Sequence, residues 1–299
     1  MKKEHKKYSP KDSCLYKILT KKRLCETLFI TQSVLDKLVA NGDNNYKVKI
    51  VNKDKKPREV QIIGKWQLLY KIHKRISFLL SSMNSGEYLF SGTKGKSYID
   101  NAKFHLENSD QYVVKIDIER FFPSVSFDHI FDYFRDKMKC SHNVAKILAK
   151  ITTFNEHLPT GSPLSISMAY YANKDMFDEI DQIAKANDCR MSLWVDDIVI
   201  SGKKAQQVAK KAKQIIFNSG FKHSKKKFKI YQPNFNKEIT GIIVSTDGKL
   251  RLRNRSHKKI YDLTNKKNKS NKEKATLKGC INEARQIDPL IFSKNSNKL

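Results

Sequence analysis

The sequence predicts an α+β chain, a mixed α/β core with helical additions at both ends, and three observations carry that prediction. An apolar run with strand character at 111–118 (QYVVKIDI) ends in an acid. A second run at 191–201 (MSLWVDDIVIS) reads as a hairpin folded at two adjacent aspartates. Segments with helical spacing of apolar residues lie between these strands and continue towards both ends, the order of a sheet covered by helices.

Element by element, a Lys-rich leader is followed by Leu24, Leu28, Val34, Leu35 and Leu38 at helical spacing within 22–39, giving one or two amphipathic helices. The Asn-Gly-Asp-Asn-Asn cluster at 41–45 ends them. Residues 46–51 (YKVKIV) alternate towards a strand, 52–57 form a charged turn, and 58–63 pair back. Helical spacing returns over 65–80. Beyond the strand at 111–118, segments 126–139 and 142–153 are helical, and the loop HLPTGSP at 157–163 opens one long helix reaching about residue 186. Residues 206–219 form a further helix. Position 230 and segments 239–244 and 249–252 are short strands, with a turn at Thr246-Asp247-Gly248. The last fifty residues are helices interrupted by a Lys/Asn-rich break at 265–272.

With 299 residues and 39% apolar composition, the chain can build two or three subdomains with real cores. The formal charge of +29, from 59 Lys and Arg against 30 Asp and Glu, is spread along the whole chain and points to a polyanionic partner. Only ten of the 59 are Arg, so a Lys-rich solvated surface accounts for part of it. Five cysteines without Cys-x-x-Cys spacing argue against a zinc site or a disulfide framework and for a reducing cytoplasm. No stretch has the length and apolar character needed to span a bilayer.

Asp196 and Asp197 sit inside a run of strand formers. Two carboxylates brought together repel, and burying them unpaired is costly, so a positive charge should share the site. Taken separately, the pair also fits an exposed hairpin turn, Asp117 fits a helix cap, and Gly161 with Pro163 fits an ordinary helix start. Taken together, they fit nucleotidyl transfer. That reaction uses two divalent cations roughly 4 Å apart, bound by carboxylate oxygens from more than one chain segment. It also needs a backbone that approaches a base pair closely, which Gly161 permits.

The segments Asp117-Ile118-Glu119-Arg120-Phe121-Phe122-Pro123-Ser124, Leu158-Pro159-Thr160-Gly161-Ser162-Pro163-Leu164-Ser165 and Trp194-Val195-Asp196-Asp197 resemble, in order and spacing, palm motifs A, B and C of reverse transcriptases. The resemblance implies a right-hand polymerase fold: a basic leader over 1–21, fingers over 22–110, a palm over 111–245 with fingers elements around 142–160, and a helical, RNA-binding thumb over 246–299. It implies RNA-directed DNA polymerase activity in which Asp117, Asp196 and Asp197 are catalytic. Together with the backbone carbonyl of Ile118 they would hold two Mg2+ ions, for which Mn2+ substitutes. The dNTP would meet Arg58, Phe122, Gly161, Ser162 and Lys227. Arg58 would contact the triphosphate, Phe122 would exclude a 2′-hydroxyl, and Lys227 would approach the leaving pyrophosphate. Phe122 also fits a core aromatic, and Lys227 a solvated Lys cluster. Three departures stand out. Trp194 and Val195 replace the usual Tyr and Ala, Thr160 replaces a Gln, and the Pro common after the Arg58 strand is missing.

Two further segments resemble bacterial retron reverse transcriptases: Ser97-Tyr98-Ile99-Asp100-Asn101-Ala102-Lys103-Phe104-His105, matching Asn-Ala-x-x-His, and Ile239-Thr240-Gly241, matching Val-Thr-Gly with one conservative change. Taken separately, His105 also fits a satisfied helix histidine and Gly241 a strand bend. This implies RNA contacts by Asn101, His105, Arg251, Arg253, Arg255, Lys258 and Lys259. It implies a structured noncoding RNA serving as template and primer, priming from an RNA 2′-hydroxyl, and a single-stranded DNA product joined to RNA. It further implies a bacterial cytoplasmic setting without a membrane, a role in defence against phage with a separate effector protein, and template removal by host RNase H, since no such domain is expected after the thumb. The alternatives are an abortive-infection-like bacterial reverse transcriptase and a catalytically silent RNA-binding palm. The three acids speak against the latter, because a pure binder has no need to cluster acids beside a polyanion.

Overall fold

The computed structural model describes residues 7–53 and 56–288. In chain order its principal elements are α1 (Lys21–Leu28), α2 (Gln32–Asn41), β1 (Lys47–Lys53), β2 (Lys56–Ile62), α3 (Leu68–Ser81), α4 (Tyr98–Lys103), β3 (Val113–Asp117), α5 (Phe121–Ser124), α6 (Phe127–Asp132), α7 (His142–Thr152), α8 (Ser165–Ala172), α9 (Lys174–Lys185), β4 (Arg190–Trp194), β5 (Asp197–Ser201), α10 (Ala205–Asn218), β6 (Lys229–Tyr231), β7 (Lys237–Ile239), β8 (Ile242–Val244), β9 (Leu250–Arg251), α11 (Asn254–Asn265) and α12 (Asn271–Ile287). The start of the basic leader and the last residues of the expected thumb lie outside the described residues.

Side-chain caps explain many of the boundaries. Thr20, Thr31 and Ser141 accept backbone N–H groups at the starts of α1, α2 and α7. Ser97 with Asp100 and Ser270 with Glu273 form reciprocal capping boxes on α4 and α12. Two expectations need correction. The single long helix expected after residue 163 is broken at Asn173, whose side-chain amide donates to the Ala169 carbonyl at 2.9 Å and competes with helix continuation. The single strand expected over 239–244 is a hairpin, because Thr240 and Gly241 adopt left-handed conformations with φ of 46° and 88°.

The chain forms two compact units. The first contains the chain up to Glu87, Ile118–Glu179 and Ile215–His223. Its β1–β2 hairpin is antiparallel, with Val51 opposite Arg58. In the same unit, α3 buries Leu69, Ile72, Ile76 and Leu80, the spacing that the sequence shows over 65–80.

The second unit contains Tyr88–Asp117, Ile180–Gln214 and the chain from Ser224 onward. Its sheet has the order β4-β5-β3-β6, antiparallel throughout. Val113, Val114, Ile116, Ile198, Val199 and Ile200 are fully buried, which explains why these strands read as near-continuous apolar runs. Val113 and Val199 share one core with Ile99 and Ala102 of α4 and with Ile239, Ile242 and Val244 of the β7–β8 hairpin. The hydroxyl of Thr240 donates to the Tyr98 carbonyl at 2.7 Å, so the two retron-like segments of the sequence meet. A smaller cluster of Leu252, Ile260, Leu277 and Ala284 joins α11 to α12.

Candidate active site

β3 ends at Asp117 and β5 begins at Asp197, and the two residues are register partners on adjacent antiparallel strands. Directly opposed side chains point to the same face, so the carboxylates rise together from the sheet. Asp196 lies in the turn between β4 and β5. That turn is strained: Val195 has φ of 60°, a conformation unfavourable for a β-branched residue, and its N–H is held by Ser91 Oγ at 2.8 Å. Asp117 is buried, while Asp196 and Asp197 are half-buried.

The electrostatics follow from this crowding. Burial, with the charges of Asp117 and Asp197, pushes the Asp196 carboxyl up to about 6. Burial raises Asp197 too, against the pull of Lys115 and Lys227. Lys115 stands two residues before Asp117 on the same strand face and was not singled out from the sequence. Lys227 was expected at the leaving pyrophosphate, but its pairing with an acid was not read, because it comes from a distant turn. That turn hangs from the Asp117 backbone: Ser224 N–H donates to the Asp117 carbonyl at 2.8 Å, and Lys227 Nζ reaches Asp117 Oδ1 at 2.6 Å. Burial disfavours the Lys227 ammonium, but the Asp117 hydrogen bond and charge outweigh it and raise its pKa.

Among the described residues, no three His, Cys, Asp or Glu side chains are gathered into a ready-made metal cage. The donor chemistry still fits a hard divalent cation. Three carboxylates from two chain segments lie at one end of the sheet, and a divalent ion would offset their mutual repulsion. Ile118, just beyond β3, is fully buried and forms an antiparallel bridge with His223.

The nucleotide-contact candidates Arg58, Phe122, Gly161 and Ser162 belong to the first unit. Arg58 is exposed on β2. After the left-handed turn at Arg120, Phe121 enters the core against Phe177 and Phe221, whereas Phe122 stays half-buried and stacked on Phe121. Gly161 forms a parallel bridge with Ile62, and its N–H donates to the Gln61 carbonyl at 3.0 Å. A Cβ there would stand 2.5 Å from that oxygen. Gln61 Oε1 also accepts from the N–H and hydroxyl of Thr160, at 3.2 and 3.0 Å. Ser162 is committed within the fold. His73 Nε2 faces the Ile151 carbonyl at 2.7 Å and must carry the proton, so Nδ1 accepts from the Ser162 hydroxyl at 2.6 Å. Burial pushes His73 down to about 4 and keeps it neutral. Sequence reading passed over Gln61 and His73, which looked like ordinary strand and helix residues.

The expected RNA contacts separate into three groups. Asn101 and His105 are corrected: both are 0% exposed, so neither side chain reaches an RNA surface. His105 Nδ1 and Nε2 are bonded to Ser201 Oγ and Ser192 Oγ. Arg251 and Arg253 are ion-paired with Asp247 and Glu238, and Arg253 packs on the Gly241 turn. Arg255, Lys258 and Lys259 are exposed and line a shallow depression with Glu273 and Thr276.

A family model described as reverse transcriptase (RNA-dependent DNA polymerase) matches residues 50–270, most of the chain. The chain belongs to the reverse transcriptase family. Among curated relatives, this reverse transcriptase is 28% identical over 233 residues to Retron Se72 reverse transcriptase of Salmonella heidelberg (strain 579083-10), covering 77% of this chain and 59% of that one. It is 28% identical over 241 residues to Retron Ec73 reverse transcriptase of Escherichia coli, covering 72% and 74%. To Retron Ec86 reverse transcriptase of Escherichia coli it is 24% identical, covering 56% and 53%. The matches thus span between half and three quarters of these relatives' lengths. Among solved structures, it is similar to a foamy viral protease-reverse transcriptase in complex with RNA/DNA hybrid, with a TM-score of 0.50 and 17% identity over 81% of this chain and 27% of that chain. It is also similar to apo telomerase from Candida Tropicalis, with a TM-score of 0.52 and 11% identity over 75% and 61%. At these identities the likeness shows the fold alone, an α+β polymerase fold. Among the described residues no helix is long and apolar enough to cross a membrane.

Proposed function

We propose that the chain is an RNA-directed DNA polymerase of the retron type, which copies a structured noncoding RNA from an RNA 2′-hydroxyl into RNA-linked single-stranded DNA. The observation that carries the reading is the register pairing of Asp117 with Asp197, with Asp196 in the adjoining turn. Three acids on one sheet end, in a protein of net charge +29, serve a cation-mediated reaction on a polyanion.

Asp117, Asp196 and Asp197, with the Ile118 carbonyl, would hold two Mg2+ ions. When bound, these ions activate the primer hydroxyl and stabilise the departing pyrophosphate. The protein's own part is to fix the carboxylates on adjacent strands and to supply Lys227 as a mobile counter-charge that can pass from Asp117 to phosphate. Arg58, Phe122 and Gly161 are assigned to the dNTP by their motif positions, and the hydrogen-bonded Ser162 hydroxyl supports the Gly161 loop. Arg255, Lys258 and Lys259 offer exposed phosphate contacts, which position an RNA without reading its sequence. Phage defence, a separate effector protein, host RNase H and a cytoplasmic setting belong to the same proposal and rest on the likeness to retron relatives.

The test is expression of the gene with its flanking noncoding DNA, followed by isolation of branched, RNA-linked single-stranded DNA. Asp196→Asn combined with Asp197→Asn should abolish that product. A product that survives the double change overturns the assignment of the acids, and DNA without an RNA branch overturns the retron type.

A further inference from the structure

We infer that His105 is a positioning residue for the catalytic hairpin, clamping β4 and β5 from within the core so that Asp196 and Asp197 keep their geometry. The inference rests on the reading of these acids as the polymerisation site.

The clamp is built from both strands. Ser192 stands on β4 and Ser201 on β5, and the single imidazole bonds both hydroxyls, Nε2 to Ser192 at 2.8 Å and Nδ1 to Ser201 at 2.7 Å. Register places Ser192 opposite Val199 and Ser201 opposite Arg190. The two serines therefore lie on the face that also carries Trp194 and Asp197. Asn108 reinforces the join, donating to Ser201 Oγ at 3.0 Å and to the Ser201 carbonyl at 3.2 Å. The segment bearing His105 is tied to the same hairpin at two other points. Arg190 on β4 donates to the Phe104 carbonyl at 3.0 Å, and Tyr98 meets Trp194 edge-on at 6.4 Å.

His105, Ser192 and Ser201 are each 0% exposed, among strand residues such as Val113, Leu193, Ile198 and Val199 that are buried and apolar. An apolar trio would fill this space at no hydrogen-bonding cost, whereas a satisfied polar network fixes one arrangement of the strands. Burial and the nearby Arg190 push His105 down to about 3, so the ring is neutral, with one nitrogen donating and the other accepting. The backbone ladder between β4 and β5 fixes their register, but apolar side-chain packing alone leaves the tip able to flex. A directional bond to each strand resists that, and the tip here carries the strained Val195 and the acid Asp196.

The experiment is steady-state primer extension on poly(rA) primed with oligo(dT), a template unrelated to any cognate RNA, combined with Mg2+ titration, template-primer affinity and thermal melting. For His105→Leu the expected result is a kcat lower by roughly ten- to a hundredfold and a higher Mg2+ requirement. KM for dTTP and template-primer affinity should stay within about twofold. His105→Gln, whose amide can occupy the Nε2 position, should recover part of the loss. Ser192→Ala and Ser201→Ala, which remove one oxygen each, should lower kcat and add little when combined with His105→Leu. If His105→Leu does not fold, the serine variants carry the test. Wild-type kcat in both serine variants overturns the inference, as does a loss confined to template-primer affinity. An inactive wild-type protein overturns the polymerase reading itself, and is distinguished by the unsubstituted control.

Discussion

Lys227 Nζ lies 2.6 Å from Asp117 Oδ1, with the lysine side chain largely exposed and the carboxylate buried. The ammonium therefore neutralises an acid that has little access to water, while its own stem remains free to swing. Replacing Lys227 with Met should lower the melting temperature in EDTA by a small amount, worth less than about 1 kcal/mol because the exposed partner is screened. Saturating Mg2+ should erase the difference. Equal melting of the two proteins in EDTA would show that the pair contributes nothing before metal arrives.

The crowding of Asp196 predicts a pH signature. An unfolded Asp titrates near 3.8 and the folded Asp196 near about 6, so between these values the native state binds the extra proton. This group's contribution to stability then falls as pH rises through that window, and at pH 8 the ionised form destabilises the metal-free protein. Asp196→Asn should accordingly melt higher than wild type in EDTA at pH 8, by roughly 1–3 kcal/mol, with the gap closing near pH 4. A gap that is absent at pH 8 would remove the repulsion from the account.

Gly161 tolerates no side chain. A Cβ would stand 2.5 Å from the Gln61 carbonyl oxygen and 2.7 and 2.8 Å from side-chain carbons of Ile62 and Val60. Because the nearest atom is backbone, Gly161→Ala should push the loop off β2 and cost ~1–3 kcal/mol in urea denaturation. An unchanged urea midpoint would mean that the loop relaxes freely.

Phe122 is half-buried beside the fully committed Phe121, so its ring is the one of the pair still available to a ligand. Phe122→Ala should raise ribonucleotide incorporation relative to deoxynucleotide incorporation in primer extension, with the deoxynucleotide rate reduced less. Unchanged sugar selectivity would remove Phe122 from the nucleotide site.

The strand ends bearing Asp117, Asp196 and Asp197 were legible because acids at the end of apolar β runs break a local pattern, and the separate explanations for each give way once the segments are taken together. The break at Asn173 and the hairpin at Thr240-Gly241 were less so, since each depends on one residue's backbone conformation within otherwise uniform apolar segments. The Lys227–Asp117 contact joins positions 110 residues apart, and no periodicity encodes it. His105 misled for a different reason. The RNA contact was implied by the resemblance of Asn101-Ala102-x-x-His105 to retron reverse transcriptases, yet two serines on partner strands give this ring a complete set of bonds in the core. Those serines look like ordinary strand residues until the register is known.

Gln61 Oε1 accepts from both the backbone N–H and the hydroxyl of Thr160, the position where the resemblance to reverse transcriptases implies a Gln. One carboxamide on the facing strand thus anchors the loop from outside it. A graft of this loop into another chain would have to carry both residues, because Thr160 without Gln61 loses the acceptor of its N–H and of its hydroxyl.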